Sequence, residues 1–137
     1  MPLACTDRII GAARDNRVVP FEGVLVSDMT DAQQRNVIDI LEQFLLYLPQ
    51  QSRKVKLEAC RKHFKETYFC WIGKIEDDNP FYYRIQSPVI LVEFDHHAGV
   101  FLTNQTPAKY HTHTILRMPN GGDYGFAVTP KELRDGL

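Results

Sequence analysis

The residues that follow Thr67 restrict the fold more than any other part of the chain. Four short runs there are rich in aromatic and β-branched residues, which favour extended strands. These runs are residues 68–72, 81–86, 89–95 and 110–117. Short polar or proline-containing stretches join the first three runs. Consecutive strands with short connections predict an antiparallel meander.

The region before these strands predicts two helices. Thr30 and Gln33 have the spacing of a capping box. Apolar side chains then recur on one helical stripe, at Val37, Leu41, Phe44, Leu45 and Leu48. Pro49 ends this helix. Residues 52–65 are rich in Lys, Arg and Glu and predict a second, more exposed helix.

The length and composition predict one domain. The chain has 137 residues and 44% hydrophobic content, which is enough for a core. We expect an irregular lead-in with an edge strand over residues 1–26, a helical region over 27–66, an antiparallel sheet over 67–125 and a tail over 126–137. The predicted fold class is α+β, a mainly antiparallel sheet of four or five strands with two helices packed on one face.

The charge and the cysteines exclude several classes of partner and site. Sixteen basic and seventeen acidic residues give a formal charge of -1, which argues against a nucleic-acid partner. No apolar run has the length of a membrane span or a signal sequence, so we expect no membrane partner. Three cysteines without C-x-x-C spacing indicate neither a disulfide framework nor a thiolate zinc site. A reducing, cytoplasmic location is therefore expected.

Two histidines in the last predicted strand are candidates for chemistry. His111 and His113 share one face of an extended segment. Glu93 and Asp95 share a face of the preceding strand. If Asp95 lies opposite His111, then Glu93 lies opposite His113, and two carboxylates meet two imidazoles. Such a patch suits a divalent metal (zinc, iron or manganese) held by His111, His113 and Glu93, or acid/base chemistry without any cofactor.

The same residues also have a purely structural interpretation. Glu93 and His113 would then form a cross-strand charge pair that contributes about 0.2–1 kcal/mol. The apolar run around Glu93 favours the functional interpretation, because burying an unpaired carboxylate costs several kcal/mol. His96 and His97 point to opposite sides, so one of them can join the patch and the other is expected to be exposed. Arg84 is either an anion-binding donor or an ordinary salt-bridge partner.

Several motifs in the same order resemble a known family. They are Asp15-Asn-Arg-Val-Val-Pro-Phe-Glu-Gly23, Pro80-Phe-Tyr-Tyr-Arg-Ile-Gln-Ser-Pro88, Glu93-Phe-Asp95, His111-Thr-His113 and Asn120-Gly-Gly-Asp-Tyr-Gly125. Together they resemble the carboxy-terminal part of the domain of unknown function 3500 family, whose activity is unassigned. The chain looks like a half-length relative of longer members. This resemblance implies that the acidic and H-x-H motifs, and the Tyr-Arg-Ile-Gln run, are shared with the family.

The leading hypothesis is a small-molecule enzyme that uses a His/carboxylate patch. It would hydrolyse, isomerise or cyclise a carbonyl-containing metabolite by acid/base or metal-assisted chemistry. The candidate catalytic residues are Glu93, Asp95, His111 and His113, and the candidate substrate-binding residues are Tyr83, Arg84, Gln86 and His97. Residues 98–109 would form a lid or a pocket rim, with residues 100–102 as an extra strand or a core plug.

The alternative hypothesis is a non-catalytic binding or assembly module. In this case the chain is a truncated relative that needs a partner or self-association. A homodimer would cover the open side of the sheet and is the expected assembly.

Overall fold

The computed structural model of the chain describes residues 4–6, 8, 17–99 and 103–119. Five strands form one antiparallel sheet whose spatial order follows the chain order. They are β1 (Val24–Leu25), β2 (Tyr68–Gly73), β3 (Phe81–Gln86), β4 (Leu91–His96) and β5 (Thr112–Arg117). Along the chain, helices α1 (Asp31–Phe44) and α2 (Gln50–Lys62) follow β1 and precede β2. The predicted α+β class with two helices on one face is confirmed.

The first helix begins where the sequence pattern predicts it. The Thr30 side chain accepts a hydrogen bond from the Gln33 backbone, and the Gln33 side chain accepts one from the Thr30 backbone. This is the predicted capping box. Helix α2 starts at Gln50, immediately after Pro49, and ends at Lys62, before a short 3-10 turn at Phe64–Glu66.

One face of the sheet, the helix face, packs on α1 and α2. Its buried sheet residues Ile85 and Val92 join a core with Val37, Leu41 and Leu57 of the helices. Because side chains alternate along a strand, the neighbouring residues point to the opposite face. The amphipathic pattern of α1 therefore has its expected partner.

The opposite face, the N-terminal face, is covered by residues near the start of the chain. Cys5 forms a disulfide with Cys70 of β2. Val19 packs on Leu91 of β4 and accepts a hydrogen bond from Gln86 at 2.8 Å through its carbonyl oxygen. The lead-in residues thus bury a face that carries several polar side chains.

Two features of the lead-in differ from expectation. The disulfide contradicts the prediction that the cysteines stay unpaired; Cys60 alone is free, and it is buried. An odd cysteine count excludes complete pairing but permits one bridge. The edge strand predicted within the lead-in over residues 1–26 is confined, among the described residues, to Val24–Leu25, which pairs with β2.

Two other expectations cannot be compared with the structure. The predicted strand or core plug at residues 100–102 and the tail at 126–137 lie outside the described residues. Among the helices in the described part, none is long and apolar enough to cross a membrane.

Candidate functional site

The histidines meet Asp95 at the end of β4. In the ladder between β4 and β5, Asp95 is paired with His113. Beyond the ladder, the His97 amide donates to the His111 carbonyl oxygen at 2.6 Å. These contacts close the connection between the two strands. They bring together His97, His111 and His113, which we call the histidine cluster.

Asp95 is buried and holds two partners. One carboxylate oxygen accepts a hydrogen bond from the Arg8 guanidinium at 2.7 Å, and the other lies 2.6 Å from Nδ1 of His97. Arg8 also donates to the His96 carbonyl oxygen at 2.7 Å. An ionised carboxylate only accepts, so Nδ1 of His97 carries the proton. In the neutral ring, Nε2 of His97 is then an unprotonated base.

Asn104 sets the tautomer of His111. Its side-chain nitrogen donates to the carbonyl oxygens of His97 at 2.8 Å and Thr106 at 2.9 Å. These bonds turn Oδ1 of Asn104 toward Nδ1 of His111, at 3.4 Å. Because this oxygen only accepts, Nδ1 of His111 carries the proton and Nε2 is unprotonated in the neutral ring.

The third histidine completes a short chain of imidazoles. Nε2 of His113 lies 3.0 Å from Nε2 of His111, and in the neutral pair His113 donates. The rings of His97 and His113 are stacked, with centroids 4.4 Å apart and an interplanar angle of 17°. The His111 ring stands 4.9 Å from His113 at 63°. The cluster is accessible to small molecules, because the His97 side chain is 30% exposed and His113 is exposed.

The surroundings of His113 shift its pKa. Desolvation lowers the pKa of His113, and the neighbouring charges of His97 and His111 lower it further, while Asp95 opposes this shift. His113 is therefore held in the neutral form to lower pH than an ordinary histidine. A neutral imidazole can accept a proton or bind a metal.

Comparison with known proteins assigns the chain to a family. Residues 2–126 match the model of a family described as "Protein of unknown function (DUF3500)". The chain belongs to the DUF3500 family. No curated protein and no solved structure matches it.

In this DUF3500 chain the strand register differs from the sequence prediction by two residues. Asp95 lies opposite His113 rather than His111, and Glu93 lies opposite Ile115. A shift of two keeps every side chain on its face, so the alternation of residues cannot detect it. Glu93 is buried and accepts a hydrogen bond from the Tyr82 hydroxyl. The predicted metal site required Glu93 to face an imidazole across the ladder, and it does not.

The two consecutive histidines at the end of β4 separate as predicted, with one correction. His97 joins the cluster, and His96 points to the other face. His96 is buried rather than exposed, since its ring packs edge-on against Phe81 and Phe94. The Phe81 amide donates to Nδ1 of His96 at 3.0 Å.

The predicted substrate-binding residues of β3 divide between the two faces. Tyr83 lies on the helix face, stacked on Phe94 at 5.6 Å. Arg84 is buried on the N-terminal face, where it donates to Glu22 at 2.7 Å and to the Pro20 carbonyl oxygen at 3.1 Å. Gln86 shares that face and donates to Val19. Arg84 thus has the salt-bridge role that the sequence left open.

Two residues that contact Asp95 and the histidine cluster were not identified from the sequence. Arg8 contacts Asp95 across 87 positions of the chain, and Asn104 acts from the connection between β4 and β5. No local motif marks the first contact. The second has a weak signal, since an Asn in a long connection near a histidine pair is suited to hydrogen-bonding its own loop.

The described residues contain no set of three or more His, Cys, Asp or Glu side chains already arranged around a metal position. The stacking of His97 on His113 gives the physical reason. Imidazole lone pairs lie in the ring plane, so two nearly parallel rings do not aim at one point. His111 and His113, in contrast, direct their Nε2 atoms toward each other.

Proposed function

We propose that the histidine cluster and Asp95 form the acid/base site of a small-molecule enzyme. The observation that carries this proposal is the 2.6 Å contact between buried Asp95 and Nδ1 of His97. A carboxylate in this position fixes the tautomer of an imidazole and stabilises its protonated form. It leaves Nε2 of His97 as the proton acceptor.

The rest of the cluster supports a second proton-transfer step. His113 stacks on His97 and donates through Nε2 to Nε2 of His111. In the proposed reaction, Nε2 of His97 removes a proton from the substrate. The His111–His113 pair, after taking up a proton from solvent at its exposed side, delivers that proton to a different position, and His97 releases the proton it removed to solvent.

This separation of base and acid supports the proposed reaction types. Hydrolysis, isomerisation and cyclisation of a carbonyl-containing metabolite each require a proton to leave one atom and another to arrive elsewhere. Two imidazole positions within 4.4–5.4 Å of the His97 ring fit that requirement. Arg8 contributes by holding the Asp95 carboxylate in place and does not need to touch the substrate.

The proposal is tested by following metabolite consumption. Tag-free protein is incubated with a mixture of carbonyl-containing metabolites, and mass spectrometry records which compounds disappear. The wild type is compared with His97→Gln and with the control His63→Gln, whose ring binds Glu66 on the helical side of the chain. We expect a compound consumed by the wild type and the control but not by His97→Gln. Equal profiles for all three proteins would overturn the proposal.

A binding or assembly module is the second candidate, and one surface favours it. A groove of about 460 Å³ on the helix face is lined by four apolar or aromatic side chains and two polar ones: Phe44, Tyr83, Phe94, Leu116, Gln43 and Thr114. Strand β5 is an edge of the described sheet beside this groove. Edge strands with neighbouring apolar surface are suited to pairing with a second copy.

The expected homodimer tests this second candidate. Light scattering coupled to size-exclusion chromatography measures the mass of the wild type and of Leu116→Glu. A wild-type dimer that becomes monomeric in the variant, with unchanged circular dichroism, supports the module. A monomeric wild type contradicts it.

Two observations favour different cellular locations. The cysteine count favours the cytoplasm, whereas the Cys5–Cys70 disulfide is typical of an oxidising compartment. The disulfide is direct structural support, so an oxidising location is the stronger proposal.

A further inference from the structure

We propose that the histidine cluster binds one divalent transition metal through Nε2 of His97, His111 and His113, with Asp95 and Asn104 as its outer hydrogen-bond partners. This inference goes beyond the proposed acid/base chemistry, because an Nε2 atom that binds a metal cannot also accept or donate a proton. Metal binding itself is measured independently of turnover.

The tautomers are the first support. Metal-binding histidines typically donate their other ring N–H to a carboxylate or a carbonyl oxygen, which fixes the ring and frees the second nitrogen. His97 has such a partner in Asp95, at 2.6 Å, and His111 has one in Oδ1 of Asn104, at 3.4 Å. Both rings therefore present an unprotonated Nε2 in the neutral form.

The spacing of two nitrogens is the second support. Zn–N bonds of 2.0–2.1 Å at a tetrahedral angle place two ligand nitrogens about 3.3 Å apart. Nε2 of His111 and Nε2 of His113 are 3.0 Å apart, with their rings inclined at 63°. Separating them by a few tenths of an ångström, with the His113 proton moved to Nδ1, gives a two-ligand site.

His97 completes the set by rotating its ring. Its ring centroid is 4.4 Å from that of His113 and 5.4 Å from that of His111. The side chain follows the last residue of β4 and is 30% exposed, so it has room to turn. Rotation that breaks the stacking directs Nε2 toward the other two nitrogens while Nδ1 remains near Asp95. The fourth position is left to water or substrate, as in catalytic zinc sites.

Glu93 is not in this ligand set, in contrast to the metal site expected from the sequence. It is buried opposite Ile115 and is hydrogen-bonded by Tyr82. Three imidazoles without a bound carboxylate suit zinc, copper, iron or nickel, and zinc is the probe of choice because three-histidine sets hold catalytic zinc.

The test is a calorimetric titration of tag-free, chelator-treated full-length protein with zinc chloride. We expect one zinc per chain for the wild type and for His63→Gln. His111→Gln should abolish binding. Asn104→Ala should weaken it by about 10–100-fold, because Nδ1 of His111 loses its acceptor. Circular dichroism verifies that each variant is folded.

Two results would overturn the inference: no saturable zinc binding by the wild type, or equal affinity in the wild type and Asn104→Ala. Failure of the proposed function is a separate result. If zinc binds but no metabolite is consumed, the metal site stands without the enzyme. If the metal-free protein keeps its His97-dependent activity and does not bind zinc, the enzyme stands without the metal.

Discussion

Asp95 and His97 are joined by a 2.6 Å hydrogen bond in which the buried carboxylate fixes the orientation of a partly exposed imidazole. The second carboxylate oxygen is taken by Arg8 at 2.7 Å. Each oxygen of Asp95 thus has a donor, and the two donors enter from different parts of the chain. This arrangement determines which nitrogen of His97 is available for chemistry.

Asp95→Asn should reverse the tautomer of His97. Arg8 can only donate, so it selects the Asn oxygen and turns the Asn amide N–H groups toward Nδ1 of His97. His97 must then accept at Nδ1 and carry its proton on Nε2. We expect the nitrogen chemical shifts of His97 to report this exchange, together with a loss of activity of about 10²–10⁴-fold.

Arg8→Met is the matched control for this variant. It removes the second partner of Asp95 but keeps the carboxylate, so Nδ1 of His97 should remain protonated. If Asp95→Asn and Arg8→Met both left the tautomer unchanged, the carboxylate would not be what fixes His97.

Protonation of His113 should make the folded protein less stable in mild acid. Its pKa in the folded protein is lowered from 6.5, chiefly by desolvation and then by His97 and His111. The unfolded chain therefore binds the proton first as the pH falls. Stability is lost from about pH 6.5 down to the lowered pKa and changes no further below it. Urea unfolding at a series of pH values should show a smaller acid loss for His113→Gln than for the wild type, whereas His63→Gln should match the wild type.

The sequence predicts the elements of this fold well because their signals are local. The capping box at Thr30 and the apolar stripe of α1 depend on residues three or four positions apart. The alternating strands likewise assign each residue to a face. The pairing of β4 with β5 depends instead on how the long connection closes, here between His97 and His111. Alternation gives the correct face in two registers that differ by two residues, and it cannot choose between them.

The candidate site is predictable only in its central residues. Asp95, His111 and His113 are indicated by the facing pattern, and their proximity survives the change in register. Arg8 and Cys5 reach the site and the sheet from the lead-in, 87 and 65 positions from their partners. Contacts of such separation leave no periodic trace in one sequence.

Removing the Cys5–Cys70 disulfide should destabilise the protein. The bridge closes a loop of 65 residues, and the chain-entropy estimate for such a loop is about 4 kcal/mol. We expect Cys70→Ala to lower the urea midpoint strongly and Cys60→Ala to lower it less, because Cys60 is buried but unpaired. Titration of thiols in the denatured, unreduced wild type should find one free thiol. Three free thiols would contradict the bridge.

Tyr83 should titrate late and reduce stability at alkaline pH. Desolvation raises its pKa from 10.0 to about 12. The folded state keeps the phenol proton after the unfolded state has lost it, so stability is full below pH 10 and falls between about pH 10 and 12. Absorbance at alkaline pH should show one fewer late-titrating tyrosine in Tyr83→Phe, with the cluster's tautomers unchanged. A change in those tautomers would indicate that Tyr83 belongs to the site after all.

Glu22→Gln should destabilise the N-terminal face by about 3 kcal/mol, because it leaves the buried Arg84 charge without its carboxylate. Burial raises the pKa of Glu22, but hydrogen bonds from Thr6 and Arg84 outweigh this and hold the pKa below its ordinary value. The carboxylate is therefore ionised at neutral pH.

The matched control is Glu42→Gln, which breaks the more exposed Glu42–Arg53 pair and should cost less than about 1 kcal/mol. Urea unfolding compares the two, and metabolite consumption by folded Glu22→Gln should equal that of the wild type. A selective loss of substrate affinity without a loss of stability would instead return Arg84 to the substrate-binding role.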